Sequence, residues 1–300
     1  MTFKCFLCEN SKNQKKIVDN IKDYEFGIPG IYSYGQCKFC KLISLSPFPS
    51  INDLKNFYPK DYISYLENSK TKGLIYYVLE KIYNIFFLHK LKKEIKVNSF
   101  LLDVGGGNGD FLKNLDQNNC DLNLIDFNQT VCEIAKTKGI NSFCGFFLDY
   151  SEKKFFDYIF MNNYIEHVID PVKELQKAYE MLKKGGKLLG VTPNFDSYDQ
   201  KLFGKYWGGN HIPRHTYQYT PVVLKKILEK CNFKNIEINY DINPSHLVLS
   251  LQNFFYRNKL HLLKNGRAKF YNIQLLLLLP INLVFKILKK SGIINFSAIK

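Results

Sequence analysis

The segment Leu101-Leu102-Asp103-Val104-Gly105-Gly106-Gly107-Asn108-Gly109-Asp110-Phe111-Leu112 restricts this chain more than any other. An apolar run of strand length leads into glycines at 105, 107 and 109 and then into a helix-like start. Glycine adopts backbone angles that a Cβ forbids and lets a ligand approach the main chain closely. A strand, a glycine turn and a helix N-terminus together offer unpaired N–H groups to a polar ligand. Spacing then discriminates between ligands. Dinucleotide folds use G-x-G-x-x-G; counting from Gly105 and Gly107, the third position here is Asp110, so that pattern fails. What stands is D-x-G-x-G-x-G, led by Asp103. Further on, Leu122-Asn123-Leu124-Ile125-Asp126-Phe127 is a short apolar strand closing on a carboxylate, about 20 residues past the first glycine. An acid so placed can accept hydrogen bonds from both hydroxyls of a ribose.

From Ser99 onward, strand-like and helix-like stretches alternate, the mark of a parallel doubly wound α/β sheet. Strands are expected near 99–104, 121–126, 140–144, 157–161, 186–192, 233–240 and 293–299. A segment from about 242 to 290 interrupts the last two. Its longest apolar run, around Leu275–Leu279, is about half of what a membrane span needs and is broken by Pro280 and Asn282. Two readings of this insertion remain: a helical cap packed on the core, or an interfacial element touching a membrane or lipid-linked substrate. Lys259, Lys264, Arg267, Lys269, Lys286, Lys289 and Lys290 suit anionic headgroups.

Four cysteines stand in two pairs, Cys5-x-x-Cys8 and Cys37-x-x-Cys40. Each pair can wrap a knuckle that aims two thiolates at one ion, and two knuckles complete a tetrahedral structural zinc site. The residues between them are expected to form a small β-ribbon or irregular loop with almost no core, its folding energy coming from the metal. Cys120, Cys132, Cys144 and Cys231 lack partner spacing and read as ordinary buried thiols. The expected organisation is a zinc ribbon over 1–48, a helical linker or lid over 49–98, and the α/β domain over 99–300 with its insertion at 242–290. Within the linker, Ser50 and Asp53 read as a capping box, with Tyr58-Pro59 ending that helix. Leu74, Val78, Ile82, Ile85 and Phe86 place a longer amphipathic helix at about 73–96, expected to cover the ligand crevice.

Loops at the C-terminal ends of parallel strands line the crevice of such a sheet. This places Asn162 and the residues through His167 beside the ligand. His167, in Glu166-His167-Val168-Ile169-Asp170-Pro171, is one candidate general base, with a structural brace as the competing role. His215, in Trp207-Gly208-Gly209-Asn210-His211-Ile212-Pro213-Arg214-His215, is the other. His89, His246 and His261 have no comparable setting.

These motifs together resemble the class I S-adenosylmethionine-dependent methyltransferases. The E-H-v-x-D-P stretch and the W…P-R-H loop resemble those of small-molecule enzymes of the ubiquinone-biosynthesis type. The double C-x-x-C ribbon followed by Ser46-Pro47-Phe48-Pro49-Ser50 resembles zinc-ribbon members associated with polysaccharide and nucleotide-sugar chemistry. The resemblance implies a Rossmann-like seven-stranded sheet with the last strand inserted antiparallel. It implies that Asp126 holds the ribose of S-adenosylmethionine, that Phe127 lines the adenine pocket, and that Asp103 with Gly105, Gly107 and Gly109 holds the methionine end, with Phe146 and Asn162 as further cofactor-binding residues. The usual acid after the third strand comes late here, at Asp149.

The expected activity is methyl transfer to a hydroxyl or carbon of a small molecule, a sugar or lipid-linked saccharide. Alternatives are an RNA methyltransferase gripping nucleic acid with its ribbon, and a non-catalytic cofactor-binding scaffold. A net charge of +15 invites the RNA reading, but only Arg214, Arg257 and Arg267 among 42 basic residues are arginine, the side chain best shaped for phosphate and guanine. Asn162-Asn163-Tyr164-Ile165 also lacks the prolines of the box common to base-amine methyltransferases. Met1-Thr2-Phe3-Lys4-Cys5 meets the first cysteine pair with no apolar run, so the expected location is cytoplasmic, peripheral at the inner membrane face only under the interfacial reading of 242–290.

Overall fold

The computed structural model describes residues 5–9, 14–58, 88–116, 119–264 and 266–300. The amphipathic helix expected at 73–96 lies mostly outside them, as do Pro59 and the residues after it. Chain order begins with three strands, β1 (Gln14–Ile21), β2 (Tyr32–Cys37) and β3 (Ile43–Ser46), and two short helices, α1 (Ile51–Asn56) and α2 (His89–Glu94). The α/β unit follows with β4 (Phe100–Val104), α3 (Asp110–Leu115), β5 (Asp121–Asp126), α4 (Gln129–Thr137), β6 (Asn141–Cys144), β7 (Phe156–Asn162) and α5 (Pro171–Met181). It continues with β8 (Leu182–Pro193), α6 (Tyr198–Phe203), β9 (Tyr217–Gln218), α7 (Pro221–Lys230) and β10 (Lys234–Tyr240). Helices α8 (Ser245–Tyr256) and α9 (Tyr271–Ile287) precede the final strand β11 (Ile293–Ile299).

All seven expected strands are present, in one sheet of order β10-β11-β8-β7-β4-β5-β6. The pairs β7–β8, β7–β4, β4–β5 and β5–β6 are parallel, and β11 runs antiparallel between β8 and β10. Strand β8 starts at Leu182, ahead of the expected 186, and takes in Lys184, Gly185 and Gly186 as a bulge, Phe156 facing Leu182 while Tyr158 faces Lys187. Helix starts follow local chemistry. Ser50 and Asp53 form the expected capping box, Asn128 caps α4, and Asp170 accepts from the Lys173 N–H at 3.1 Å with Pro171 in the first turn of α5. The D-P of the sequence signature is therefore a helix start.

The N-terminal ribbon departs from expectation in one respect. It has a core, and the core is shared. Strand β3 pairs antiparallel with β9, so a four-stranded sheet of order β1-β2-β3-β9 joins the ribbon to the α/β unit. Ile21, Tyr34, Ile43 and Leu45 of the ribbon pack with Ile212 of the larger unit. The insertion is helical. Pro280 and Asn282 interrupt its apolar run but not its helix, and α9 runs through both for 17 residues. No helix among the described residues is long and apolar enough to cross a membrane. Helix α8 is largely buried, whereas only Tyr271 and Asn282 of α9 are. Of the four unpaired cysteines, Cys132 and Cys231 are buried and Cys120 and Cys144 half-buried.

Gly190 tests how tightly β8 is packed. A Cβ there would lie 2.3 Å from Cζ of Phe296 and 2.6 Å from the Met161 carbonyl oxygen. Gly190→Ala is expected to cost about 1–3 kcal/mol through overpacking, seen as a lower Tm in thermal denaturation with the secondary structure retained.

Candidate functional site

The register of β4 against β5 sets Asp103 opposite Leu124 and brings Asp126 to the same C-terminal rim. The glycine turn folds over that rim. The Gly105 N–H donates to the Ile125 carbonyl at 2.8 Å, and the Gly107 N–H to Oδ2 of Asp126 at 3.1 Å. The Asn128 N–H donates to Oδ1 of Asp126 at 2.9 Å. Gly105 and Gly109 have φ of +72° and +78°, the left-handed region, and Gly109 caps α3. A Cβ on Gly105 would lie 2.7 Å from the Tyr164 ring. Asp103 is buried, and its Oδ1 has no hydrogen-bond partner among the described residues. Burial first, and the charge of Asp126 second, push the Asp103 carboxyl up to about 8. Burial also raises Asp126, against the hydrogen bonds from Asn128 and Gly107.

Beside the rim, the rings of Phe127 and Phe146 lie stacked with centroids 6.1 Å apart. Tyr58 packs against Phe127 at 5.3 Å and its hydroxyl lies 2.9 Å from Nδ1 of His167. A buried orphan carboxylate oxygen in a glycine-lined cradle fits a cationic amine, and the neighbouring rings and Asp126 fit a nucleoside. Asn162 ends β7 half-buried.

The second half of the site is the loop from Trp207 to Thr216, folded against the Glu166 turn. The Thr216 N–H and Oγ1 both donate to the Glu166 carbonyl, at 2.8 and 3.0 Å, and Thr192 Oγ1 donates to Oε2 of Glu166 at 3.0 Å. The Oε1 of Glu166 has no partner among the described residues, and burial pushes this carboxyl up to about 8. His167 and His215 meet edge to face with ring centroids 4.5 Å apart. The Nδ1 of His215 lies 2.9 Å from the Gly209 carbonyl, and that of His167 lies 3.2 Å from the Arg214 carbonyl. Burial pulls His167 down to about 3 and His215 well below the usual imidazole range. Both are neutral imidazoles at neutral pH. The Gly209 carbonyl only accepts, which puts a proton on Nδ1 of His215 and leaves its Nε2 as the basic nitrogen.

Sequence reasoning missed the partners that hold this loop. Nδ1 of His211 lies 2.8 Å from Glu25, a residue of the ribbon, and the His211 ring lies 4.8 Å from His215. Arg214 is fully buried and pairs with Asp23 at 3.4 Å. Tyr34 donates from its hydroxyl to the carbonyls of Asn210 and His215, both at 3.0 Å. His246, which showed no context in the sequence, is buried against Trp207 at 5.7 Å and His211 at 6.0 Å. Tyr34, Asp23, Glu25 and His246 all come from segments remote in sequence. Within the Trp207–Thr216 loop, His211 has a left-handed backbone at φ +38°, which a sequence does not display.

The cysteine pairs converge as their spacing suggested. Sγ of Cys5 lies 3.4 Å from that of Cys40, and Sγ of Cys8 lies 3.6 Å from that of Cys37. All four sulfurs lie within 4.8 Å of one another.

A family model described as a methyltransferase domain matches residues 81–238, just over half of the chain. The chain belongs to the class I S-adenosylmethionine-dependent methyltransferases. Among curated relatives, this methyltransferase is similar to the ubiquinone biosynthesis O-methyltransferase of Coxiella burnetii, 26% identical over 132 residues. That match covers 41% of the methyltransferase and 56% of the relative, a little over half its length. An uncharacterised protein of Methanocaldococcus jannaschii is 24% identical over 143 residues, covering 47% of the methyltransferase and 67% of the relative. In fold alone, the methyltransferase is similar to the StiE O-MT structure, with a TM-score of 0.50, 14% identity and 78% of each chain covered.

The buried acids of the methyltransferase make its ligand-free stability depend on pH. Asp103 and Glu166 are raised to about 8 and Glu174 to about 7, chiefly by burial. Each holds a proton in the fold that the unfolded chain releases near pH ~4. Their contribution is complete below that value and is lost as pH rises through about 7 to 8. The Tm of the ligand-free protein is expected to fall from about pH 5 to about pH 8 and to level off above it, and Asp103→Asn to flatten that fall, in a thermal melt series.

Proposed function

We propose that this methyltransferase acts on a hydroxyl or carbon of a small-molecule acceptor, a sugar or lipid-linked saccharide. The observation that carries the reading is the pair of neutral, face-to-edge imidazoles, His167 and His215, set beside the cofactor rim with Nε2 of His215 basic. When bound, S-adenosylmethionine supplies an electrophilic methyl group. Asp126 would hold its ribose, Phe127 and Phe146 would flank the adenine, and Asp103 with Gly105, Gly107 and Gly109 would hold the methionine end. Asn162 would line the same pocket. A hydroxyl or carbon acid must lose a proton during transfer, and an imidazole kept neutral by burial can take it. His215 is the stronger candidate, because Gly209 alone settles its tautomer, whereas Nδ1 of His167 is shared between Tyr58 and Arg214. The likeness to a ubiquinone biosynthesis O-methyltransferase supports oxygen as the acceptor atom.

The test is incubation of the pure, metal-replete protein with S-adenosylmethionine and a panel of sugars and lipid-linked saccharides, followed by mass spectrometric detection of S-adenosylhomocysteine. Turnover is expected with members of that panel. His215→Gln is expected to lower kcat about 10²–10⁴-fold with cofactor affinity little changed, and Asp126→Ala to weaken cofactor binding about ten- to hundredfold. Turnover on RNA alone would overturn the reading, as would cofactor binding with no transfer to any acceptor.

We also propose that Cys5, Cys8, Cys37 and Cys40 hold one structural zinc ion. The 3.4 and 3.6 Å sulfur separations support this, being close to the ~3.8 Å between thiolates around a tetrahedral ion with ~2.3 Å bonds. Metal analysis is expected to find one zinc per chain, and a chelator to lower the Tm in calorimetry. A metal-free protein with an unchanged Tm would exclude the assignment.

A further inference from the structure

Helix α9 is apolar on two sides, and only one of them is covered. Tyr271, Leu275 and Leu278 pack on Val248 and Leu249 of α8. On the other side Ile273, Leu277, Ile281, Val284 and Leu288 recur at spacings of three and four, forming one stripe. Leu277 is 70% exposed and Ile281 45%, and Phe270 at 58% and Ile287 at 71% extend the stripe at its ends. A continuous apolar surface of this kind marks a contact site. The charges around it identify the partner. From Ile242 to Lys300 the sequence contains no Asp or Glu but nine Lys or Arg. Lys264 and Lys269 stand exposed before the helix, and Lys286 and Lys289 at its end. Apolar in the middle and cationic at both ends, with Lys286 near the partly buried Asp241 and Lys290 paired to Asp196, this surface complements an anionic bilayer.

We propose that the outer face of α9 docks on an anionic membrane surface, lying in its plane with the stripe at the acyl boundary and the lysines among the headgroups. At ~1.5 Å per residue the helix is about 25 Å long, which suits an in-plane element. The docking face is mechanically tied to the candidate acceptor loop. Helix α9 packs on α8, and Oγ of Ser250 in α8 accepts the Gly208 N–H at 2.8 Å, just ahead of the His211–His215 segment. A cleft of about 400 Å³ lies at the same junction, lined by Leu202, Phe203, Lys205, Tyr206 and Phe254. Docking deepens the reading of a lipid-linked acceptor, and rests on that reading only for its purpose.

Flotation of the full chain with vesicles tests it. The protein is expected to float with phosphatidylcholine–phosphatidylglycerol vesicles, to remain behind with phosphatidylcholine alone, and to be released by high salt. Leu277→Glu combined with Ile281→Glu is expected to weaken binding more than about tenfold, with circular dichroism, Tm and cofactor affinity unchanged because both side chains are exposed. Lys269→Gln and Lys286→Gln are each expected to lower partitioning about fivefold. Vesicle binding that survives the double glutamate variant would overturn the proposal. So would failure to bind either vesicle, including the case where light scattering shows a dimer that the double variant dissociates. S-adenosylhomocysteine release with a water-soluble acceptor reports on methyl transfer separately, so the two readings can fail independently.

Discussion

The parallel pairing of β4 with β5 is the constraint on which the rest of the molecule turns. It delivers two carboxylates to one rim, where burial disfavours their charge. Asp126 is accommodated by main-chain N–H groups of the glycine turn and of Asn128. Asp103 is left with an oxygen unmatched among the described residues. The fold tolerates this because Asp103 holds a proton over most of the physiological range. A cationic ligand could take that proton's place. The glycine turn is thus both the lid over two acids and the floor of a crevice, and side chains at 105 or 109 would collide with Tyr164 or Ile140.

The opposite wall of the crevice is built differently. The Trp207–Thr216 loop is held from three directions: by the Glu166 turn through Thr216, by the ribbon through Tyr34, Asp23 and Glu25, and by α8 through Ser250. A loop restrained on all sides can keep imidazoles desolvated and therefore neutral. The ribbon is accordingly part of the wall. Its zinc-binding knuckles, in the proposed reading, stabilise the scaffold from which Asp23, Glu25 and Tyr34 reach inward.

Much of the sheet was legible because buried parallel strands read as short apolar runs punctuated by Gly, Asp and Pro. Asp103, Asp126 and the glycines announced themselves through spacing along a single strand–turn–helix. The cysteine quartet did so through its paired knuckles. What escaped depends on pairings between distant segments. Strand β9 is two residues long and exists only because β3 lies beside it. The Arg214–Asp23 and His211–Glu25 contacts have no periodicity to betray them. Pro280 interrupts the apolar run without ending the helix. Proline in a helix removes one hydrogen bond and crowds the preceding turn, but long aliphatic residues on both sides and packing on α8 carry α9 through it.

The β3–β9 pairing also orders events during synthesis. Until the ribosome has delivered Tyr217 and Gln218, β3 has an unpaired edge, and Tyr34 lacks the carbonyls of Asn210 and His215. An open edge strand is a template for wrong partners, so the nascent chain keeps that self-association hazard until residues 217 and 218 have emerged. Strand β9 follows His215 within two residues, so the strand that closes that edge and the histidine-bearing wall belong to one short stretch of chain.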